Sequence, residues 1–211
     1  MSHFNEQAAT WDSPEKVKMM DALAQRTLAA LRAEGLCTDH LDIVDFGCGT
    51  GLFGLAFADG ARSLTGIDTS PGMLDGFQRK IDGRSHIRAV CADLEQKDTD
   101  IRADLIVSSM AFHHLADPST VVAKMKKMLR PDGAIAIVDL DAEDGTFHPD
   151  NQRAGVRHYG FSGDTVASWA TDNGLSLHRD IIYEIEKNGR AYPVFLAILR
   201  PSPAPVDPGA M

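Results

Sequence analysis

The chain predicts an α/β fold: a mostly parallel sheet with helices on both faces, closed by a C-terminal antiparallel hairpin. Three observations carry that prediction. Between residues 41 and 140, short β-branched runs apolar on both faces alternate with helical stretches, as buried parallel strands and their covering helices must. A glycine-rich turn, Asp45-Phe46-Gly47-Cys48-Gly49-Thr50-Gly51, closes the first of these runs. Near the end of the chain, Asn188-Gly189 stands between two extended runs, the strongest short hairpin signal.

The elements follow in order. Residues 13–35 read as one helix, with Ser13 as N-cap, Pro14 in the first turn and Gly35 as the stop. Val17, Met20, Leu23, Ala24, Leu28 and Leu31 recur at three- and four-residue steps and give it one buried stripe. Strands are expected at 41–46, 63–68, 86–91, 103–108 and 134–140, and helices near 52–58, 71–80 and 118–129. Arg130-Pro131-Asp132-Gly133 reads as the turn into the fifth strand. Residues 141–162, rich in Asp, Gly, His and aromatics, read as a long loop. A helix near 163–173 leads to the extended runs 175–186 and 191–199. Tyr183 and Lys187 match a dehydrogenase spacing that needs a helix, but their surroundings are strand-like and the match is chance. Residues 1–200 are expected to form one domain, with 1–40 an N-terminal helical cap and 141–162 a lid. The proline-rich stretch 201–211 is expected to be disordered.

Composition excludes several function classes. A net charge of −9 argues against a nucleic-acid partner, whose binding rests on Lys and Arg neutralising phosphates. The local cluster Lys124, Lys126, Lys127 and Arg130 reads as the solvated face and last turn of a helix. Cys37, Cys48 and Cys91 are odd in number and without metal spacing, which suits a reducing, cytoplasmic setting. No basic-then-apolar leader and no apolar run of about 20 residues is seen, so no membrane association is expected.

Two cofactors compete for the glycine loop. Gly49-Thr50-Gly51-Leu52-Phe53-Gly54 satisfies G-x-G-x-x-G, and Asp68 follows at the distance a dinucleotide fingerprint asks. Alone, this points to NAD or NADP. The glycine run starts earlier, however, behind the acid Asp45, which is unhelpful beside a pyrophosphate. A further acid, Asp93, ends the third strand. An acid-led loop with acids at the tips of three successive strands resembles the class I S-adenosylmethionine-dependent methyltransferases, as does the run Asp68-Thr69-Ser70-Pro71-Gly72-Met73-Leu74. The resemblance extends from His3 to about Arg200. It implies a Rossmann-like seven-stranded sheet, S-adenosylmethionine as cofactor and S-adenosylhomocysteine as product.

By that resemblance, Gly47, Cys48, Gly49 and Gly51 pass under the methionine moiety, and Asp45 fixes the loop by hydrogen bonds. Asp68 holds the ribose hydroxyls. Met73 packs on the adenine face, where a polarizable thioether suits a ring. Asp93 and the backbone at Leu94 meet the adenine edge, with Thr69 and Ser108 also beside the cofactor. The plainer readings stay open: Asp45 as a loop clamp, Met73 as helix core, Cys48 as a small residue in a crowded turn.

The stretch Ser108-Ser109-Met110-Ala111-Phe112-His113-His114-Leu115 lacks the Asn/Asp-Pro-Pro-aromatic and Pro-Cys signatures of nucleobase methyltransferases. Phe112-His113-His114-Leu115 is instead similar to small-molecule enzymes of the group that includes quinone biosynthesis. So is the opening from Phe4 to Asp12, with Asn5 in place of a usual Asp. Transfer from a sulfonium is an in-line displacement, in which the protein mainly holds the nucleophile about 3 Å from the methyl carbon. A base helps where the acceptor must lose a proton, and histidine is the usual choice near neutral pH. His113 and His114 are the catalytic candidates, emerging at the C-terminal edge of the sheet where ligands bind. Phe4, Trp11, Phe112, His148, His158 and Tyr159 are candidates for the acceptor pocket, with Phe147 beside them. The histidine spacings match no metal-ligand motif, and no metal is expected. The expected partner is a small-molecule acceptor, and the protein a monomer or homodimer. Three other readings are a protein-side-chain methyltransferase, a cofactor-binding protein without catalysis and, remotely, an NAD(P)-dependent oxidoreductase.

Overall fold

In the computed structural model, which describes residues 3–81 and 83–202, α1 (His3–Gln7) and a 3-10 turn (Ala8–Thr10) precede α2 (Pro14–Ala33). The predicted caps operate: Ser13 accepts from Lys16 N, and Gly35 turns the chain at φ +75°. Strands and helices then alternate as β1 (Asp42–Phe46), β2 (Ser63–Asp68), α3 (Pro71–Lys80), β3 (Ile87–Cys91), β4 (Ala103–Ser109), α4 (Pro118–Met128) and β5 (Leu129–Leu140). After α5 (Asn151–Ala154) and α6 (Gly163–Asp172), β6 (Leu175–Lys187) and β7 (Arg190–Pro201) form the hairpin. Asn188 and Gly189 take φ +54° and +74°, the left-handed pair that a two-residue hairpin turn requires.

The sheet order is β3-β2-β1-β4-β5-β7-β6, with β1 to β5 parallel and β7 antiparallel to both neighbours. Successive side chains of a strand face opposite sides. Ile43 and Leu105 thus join one core with Leu23, Phe57 and Phe77, while Val44 and Ile106 join the other with Val121, Met125 and Trp169. Burial on both faces explains why these strands read as continuous apolar runs. The order reverses between β1 and β4, and the crevice beyond their C-terminal ends is where such sheets bind ligands.

Three expectations need correction. Residues 52–58 do not form an α-helix; only a 3-10 turn, Gly54–Phe57, is present. Gly51 and Gly54 weaken helix propensity, and the buried Asp45 carboxylate fills the place where a Cβ on Gly54 would lie. β5 begins at Leu129 rather than at 134, with Arg130–Gly133 as an irregularity inside it and Asp132 at φ +66°. The 141–162 segment is not all loop: it contains α5 and an isolated bridge between Asp141 and Phe161. Residues 203–211, most of the stretch expected to be disordered, lie outside the described residues.

Three of the four residues of the basic cluster are paired locally. Lys124 donates to Glu95 O, Lys126 to Asn173 O, and Arg130 pairs with Asp42 at 2.8 Å. Among the described residues no helix is long and apolar enough to cross a membrane.

Candidate active site

The loop after β1 is shaped by left-handed glycines. Gly47, Gly49 and Gly51 have φ of +68°, +51° and +86°, a region costly for other residues. Space matters as well: a Cβ on Gly47 would come within 2.6 Å of Ala111 Cβ, and one on Gly51 within 2.7 Å of the Phe77 ring. Gly49 N donates to Asp68 Oδ2 at 2.8 Å, and Ser70 N to Asp68 Oδ1 at 2.8 Å. Each oxygen of this carboxylate therefore keeps acceptor capacity for a ligand.

Asp45 lies under the same loop, fully buried. Its Oδ2 has no hydrogen-bond partner among the described residues. Burial, then the Asp68 charge, pushes its carboxyl well up against the pull of the Gly54 amide. Burial also raises Asp68, though its backbone donors oppose the shift. Cys48 beside them is held as a thiol, its pKa driven well up by burial and by Asp45 and Asp68. That suits a packing residue rather than a nucleophile.

The N-terminal segment is tied onto this loop. Asn5 Oδ1 accepts from Gly72 N at 2.7 Å, so the amide oxygen caps α3 where the resembling proteins carry an Asp. Lys80 Nζ reaches Asp12 Oδ2 at 2.7 Å and Thr50 O at 2.8 Å, and Thr50 Oγ1 donates to Asp12. Phe4 packs edge-on to Trp11 and to His114. Lys16 Nζ sits 3.2 Å above the Trp11 ring, its pKa lowered to about 8 by burial.

The other end of the site is made of imidazoles. After β4, Met110 takes φ +54° and turns the chain into a 3-10 turn, Phe112–His114. His113 Nδ1 lies 2.7 Å from Asp139 Oδ1, with both side chains essentially buried. Because an ionised carboxylate only accepts, Nδ1 is the donor and, in the neutral ring, Nε2 carries the lone pair. Asp139 also accepts from Phe112 N at 2.9 Å and Leu140 N at 2.7 Å. Burial works against the ionised form, but the pull of His113 and these donors outweighs it and holds the carboxyl below its usual range. His113 Nε2 is 3.3 Å from His148 Nε2. His114 Nδ1 bonds Gly155 O at 3.2 Å, and burial, then His113, lowers its pKa to about 3.

These groups surround one cavity of about 540 Å³. Asp45, Gly47, Cys48, Gly49, Asp68, Thr69, Met73, Asp93 and Leu94 line it, together with Phe4, Trp11, His113, His114, Phe147 and His148, with Trp11 beside Gly49. Five expected residues stand outside its wall. Gly51 serves the turn behind the loop. Ser108 is buried, donating to Phe46 O at 2.9 Å, and its neighbour Ser109 lines the cavity instead. Phe112 is core, packed between Phe46 and Trp169. His158 is turned to Leu115 O at 3.0 Å, and Tyr159 is half-exposed beside Gly145. The sequence reading missed Asp139, although an acid within the apolar run of β5 was its signal. It also missed Lys16 and Lys187, which no local pattern places at the cavity.

Residues 44–137 match the family described as Methyltransferase domain. An uncharacterized methyltransferase of Schizosaccharomyces pombe is 33% identical over 165 residues, covering 70% of this chain and 57% of that protein. The malonyl-[acyl-carrier protein] O-methyltransferase of Acetivibrio thermocellus is 31% identical over 137 residues, covering 64% and 46%. The chain thus spans about half the length of the curated relatives it matches. Among solved structures, the N-methyltransferase NodS of Bradyrhizobium japonicum, in complex with S-adenosyl-L-homocysteine, shares the fold at a TM-score of 0.66 and 24% identity, covering 90% of this chain and 89% of that one. Residues 44–137 thus match a methyltransferase domain, and sheet, glycine loop and sequence agree in likening the chain to the class I S-adenosylmethionine-dependent methyltransferases.

Proposed function

We propose that this protein transfers the methyl group of S-adenosylmethionine to a small-molecule acceptor and releases S-adenosylhomocysteine. The observation that carries the reading is the acidic floor of the cavity. Asp45 is buried there and Asp68 half-buried, with Asp93 and Glu95 beside them. Carboxyl groups so placed suit a ligand rich in hydroxyl and amine donors, and disfavour a pyrophosphate. The missing α-helix after the glycine loop argues the same way, because a dinucleotide needs that helix N-terminus for its phosphates. Gly54, the third glycine of the apparent fingerprint, makes room for Asp45.

In this reading Gly47–Gly51 face the methionine moiety, with Asp45 buried beneath the loop against Gly54, and Asp68 accepts from the ribose hydroxyls. Met73, Asp93 and Leu94 frame the adenine. When bound, S-adenosylmethionine supplies a methyl group on a sulfonium, open to in-line displacement. The chain's own task is to place the acceptor on that axis and exclude water. Phe4 and Trp11 from the N-terminal segment and Phe147 and His148 from the 141–162 segment would cover the acceptor, which supports a small molecule. His113 and His114 are the proposed catalytic side chains, meeting the acceptor's nucleophilic atom, with Asp139 positioning His113. The cavity volume falls within the roughly 300–1,000 Å³ of small-molecule sites.

Calorimetric titration of the purified protein tests this. Saturable binding of S-adenosylhomocysteine and none of NAD or NADP is the expected outcome. Binding of a nicotinamide cofactor alone would overturn the reading.

A further inference from the structure

The imidazoles at the cavity wall reach one point from separate parts of the chain: His113 and His114 from the turn after β4, and His148 from the segment after β5. One ring nitrogen of each lies within 4.8 Å of the other two. The Nε2 atoms of His113 and His148 are 3.3 Å apart and share one proton in a hydrogen bond, which an ion in that proton's place would replace. Two nitrogens bound at about 2.0–2.1 Å to one tetrahedral ion are about 3.3–3.4 Å apart, so this pair needs almost no adjustment to share an ion.

The groups behind the rings have the matching chemistry. His113 Nδ1 donates to the buried Asp139 carboxylate, and His114 Nδ1 to the carbonyl of Gly155. A carboxylate or backbone carbonyl behind a ligating histidine fixes its tautomer and aims its remaining nitrogen. Both bonds leave the lone pair at Nε2. Asp139 is itself held by the amides of Phe112 and Leu140, so the ring of His113 is anchored through two layers of hydrogen bonds. The donor set is all imidazole, which suits zinc, cobalt or nickel and not calcium or magnesium.

We propose that His113, His114 and His148 bind a divalent transition-metal ion of the zinc class at the acceptor end of the cavity, leaving a fourth position open to the acceptor's nucleophilic atom. Three histidines with one open position is the pattern of a catalytic rather than a structural site. The ion's use rests on the methyl-transfer reading; its binding rests on the imidazole geometry alone. An acceptor X–H held there gives up its proton to solvent. The X–C bond then forms from the X lone pair as the sulfonium S–C bond breaks onto sulfur. In the loaded protein the acceptor meets the histidines through the ion rather than directly.

The untagged full-length chain, stripped with a chelator and dialysed, is titrated with Zn²⁺ by calorimetry and with Co²⁺ by visible absorption. One ion per chain is expected, with the intense absorption of four-coordinate cobalt. His148→Ala and His114→Ala, checked for native circular dichroism, should each weaken Zn²⁺ binding by about 100-fold or more. Asp139→Asn should weaken it about 10–100-fold, the range for outer-shell partners. Absence of stoichiometric binding, or unchanged affinity in a natively folded His148→Ala, would overturn the proposal. S-adenosylhomocysteine is titrated in the same preparations. If it binds and zinc does not, the metal site is overturned and the function stands; if zinc binds and it does not, the reverse holds.

Discussion

The two ends of the cavity are built in different ways. At the loop end, Asp45, Gly47, Gly49, Asp68 and Asp93 come from one unbroken run of chain, β1 to the tip of β3. They act through backbone shape and through carboxylates at successive strand ends. At the histidine end, His113 and His114, Asp139 and His148 come from three segments, and Phe4 packs on His114 from a fourth. The loop end is a local motif and the histidine end a tertiary assembly. One can be altered at a single position with a mainly local effect, while the other depends on one buried carboxylate that joins β5 to the turn after β4.

The largest expected effect tests that dependence. Asp139→Ala strands the His113 ring and the amides of Phe112 and Leu140 in a dry interior. Removing one partner of a buried pair costs about 3–5 kcal/mol, so urea unfolding should show a loss of that order. A loss below about 1 kcal/mol would mean the histidine end stands without its carboxylate.

At the loop end the expected effect is on binding. Asp68→Ala should weaken S-adenosylhomocysteine by roughly 1.5–3 kcal/mol, the range for hydrogen bonds to a charged group. Calorimetry reads this directly, and an unchanged affinity would remove Asp68 from the cofactor site. The comparison sharpens if Asp139→Asn, which keeps the shape of the carboxylate, leaves this affinity within a few-fold of the parent.

The smallest effect concerns the tie between the N-terminal segment and the loop. The Lys80–Asp12 pair is about one-third exposed on both sides. Lys80→Met should therefore change global stability by no more than about 1 kcal/mol. Amide exchange around Trp11–Ser13 should nonetheless quicken, because Asp12 loses the lysine that bridges it to Thr50 O and keeps only the bond from Thr50 Oγ1. Unaltered exchange there would show that the aromatic packing of Phe4 and Trp11 holds the segment without the ion pair.

Where local chemistry decides, the sequence was readable. Helix 71–80 matched in extent because Ser70 caps it and Pro71 starts it. The hairpin followed from Asn188-Gly189, whose left-handed backbone is a property of those two residues. Reading failed where a neighbour remote in sequence intervened. Residues 52–58 carry helix-compatible apolar residues, yet Asp45 pressed against position 54 admits only glycine there, which weakens helix propensity, and a 3-10 turn forms. At Arg130–Gly133 the expected turn is only an irregularity with Asp132 left-handed, because pairing of Leu129 with Ala103 starts the strand before it. Phe112 and Tyr159 were expected at the acceptor pocket, and only packing separates a cavity-facing aromatic from core or surface.

The sequence by itself determined the α/β alternation, the glycine loop, the strand-tip acids and the closing hairpin, because each depends on residues adjacent in the chain or one strand apart. Only the tertiary structure decided that His113, His114 and His148 meet, that Asp139 stands behind them, and that Ser108, Phe112, His158 and Tyr159 do not join them. Side chains from distant segments converge through sheet order and core packing, and no linear spacing encodes the distance between two imidazoles on different loops.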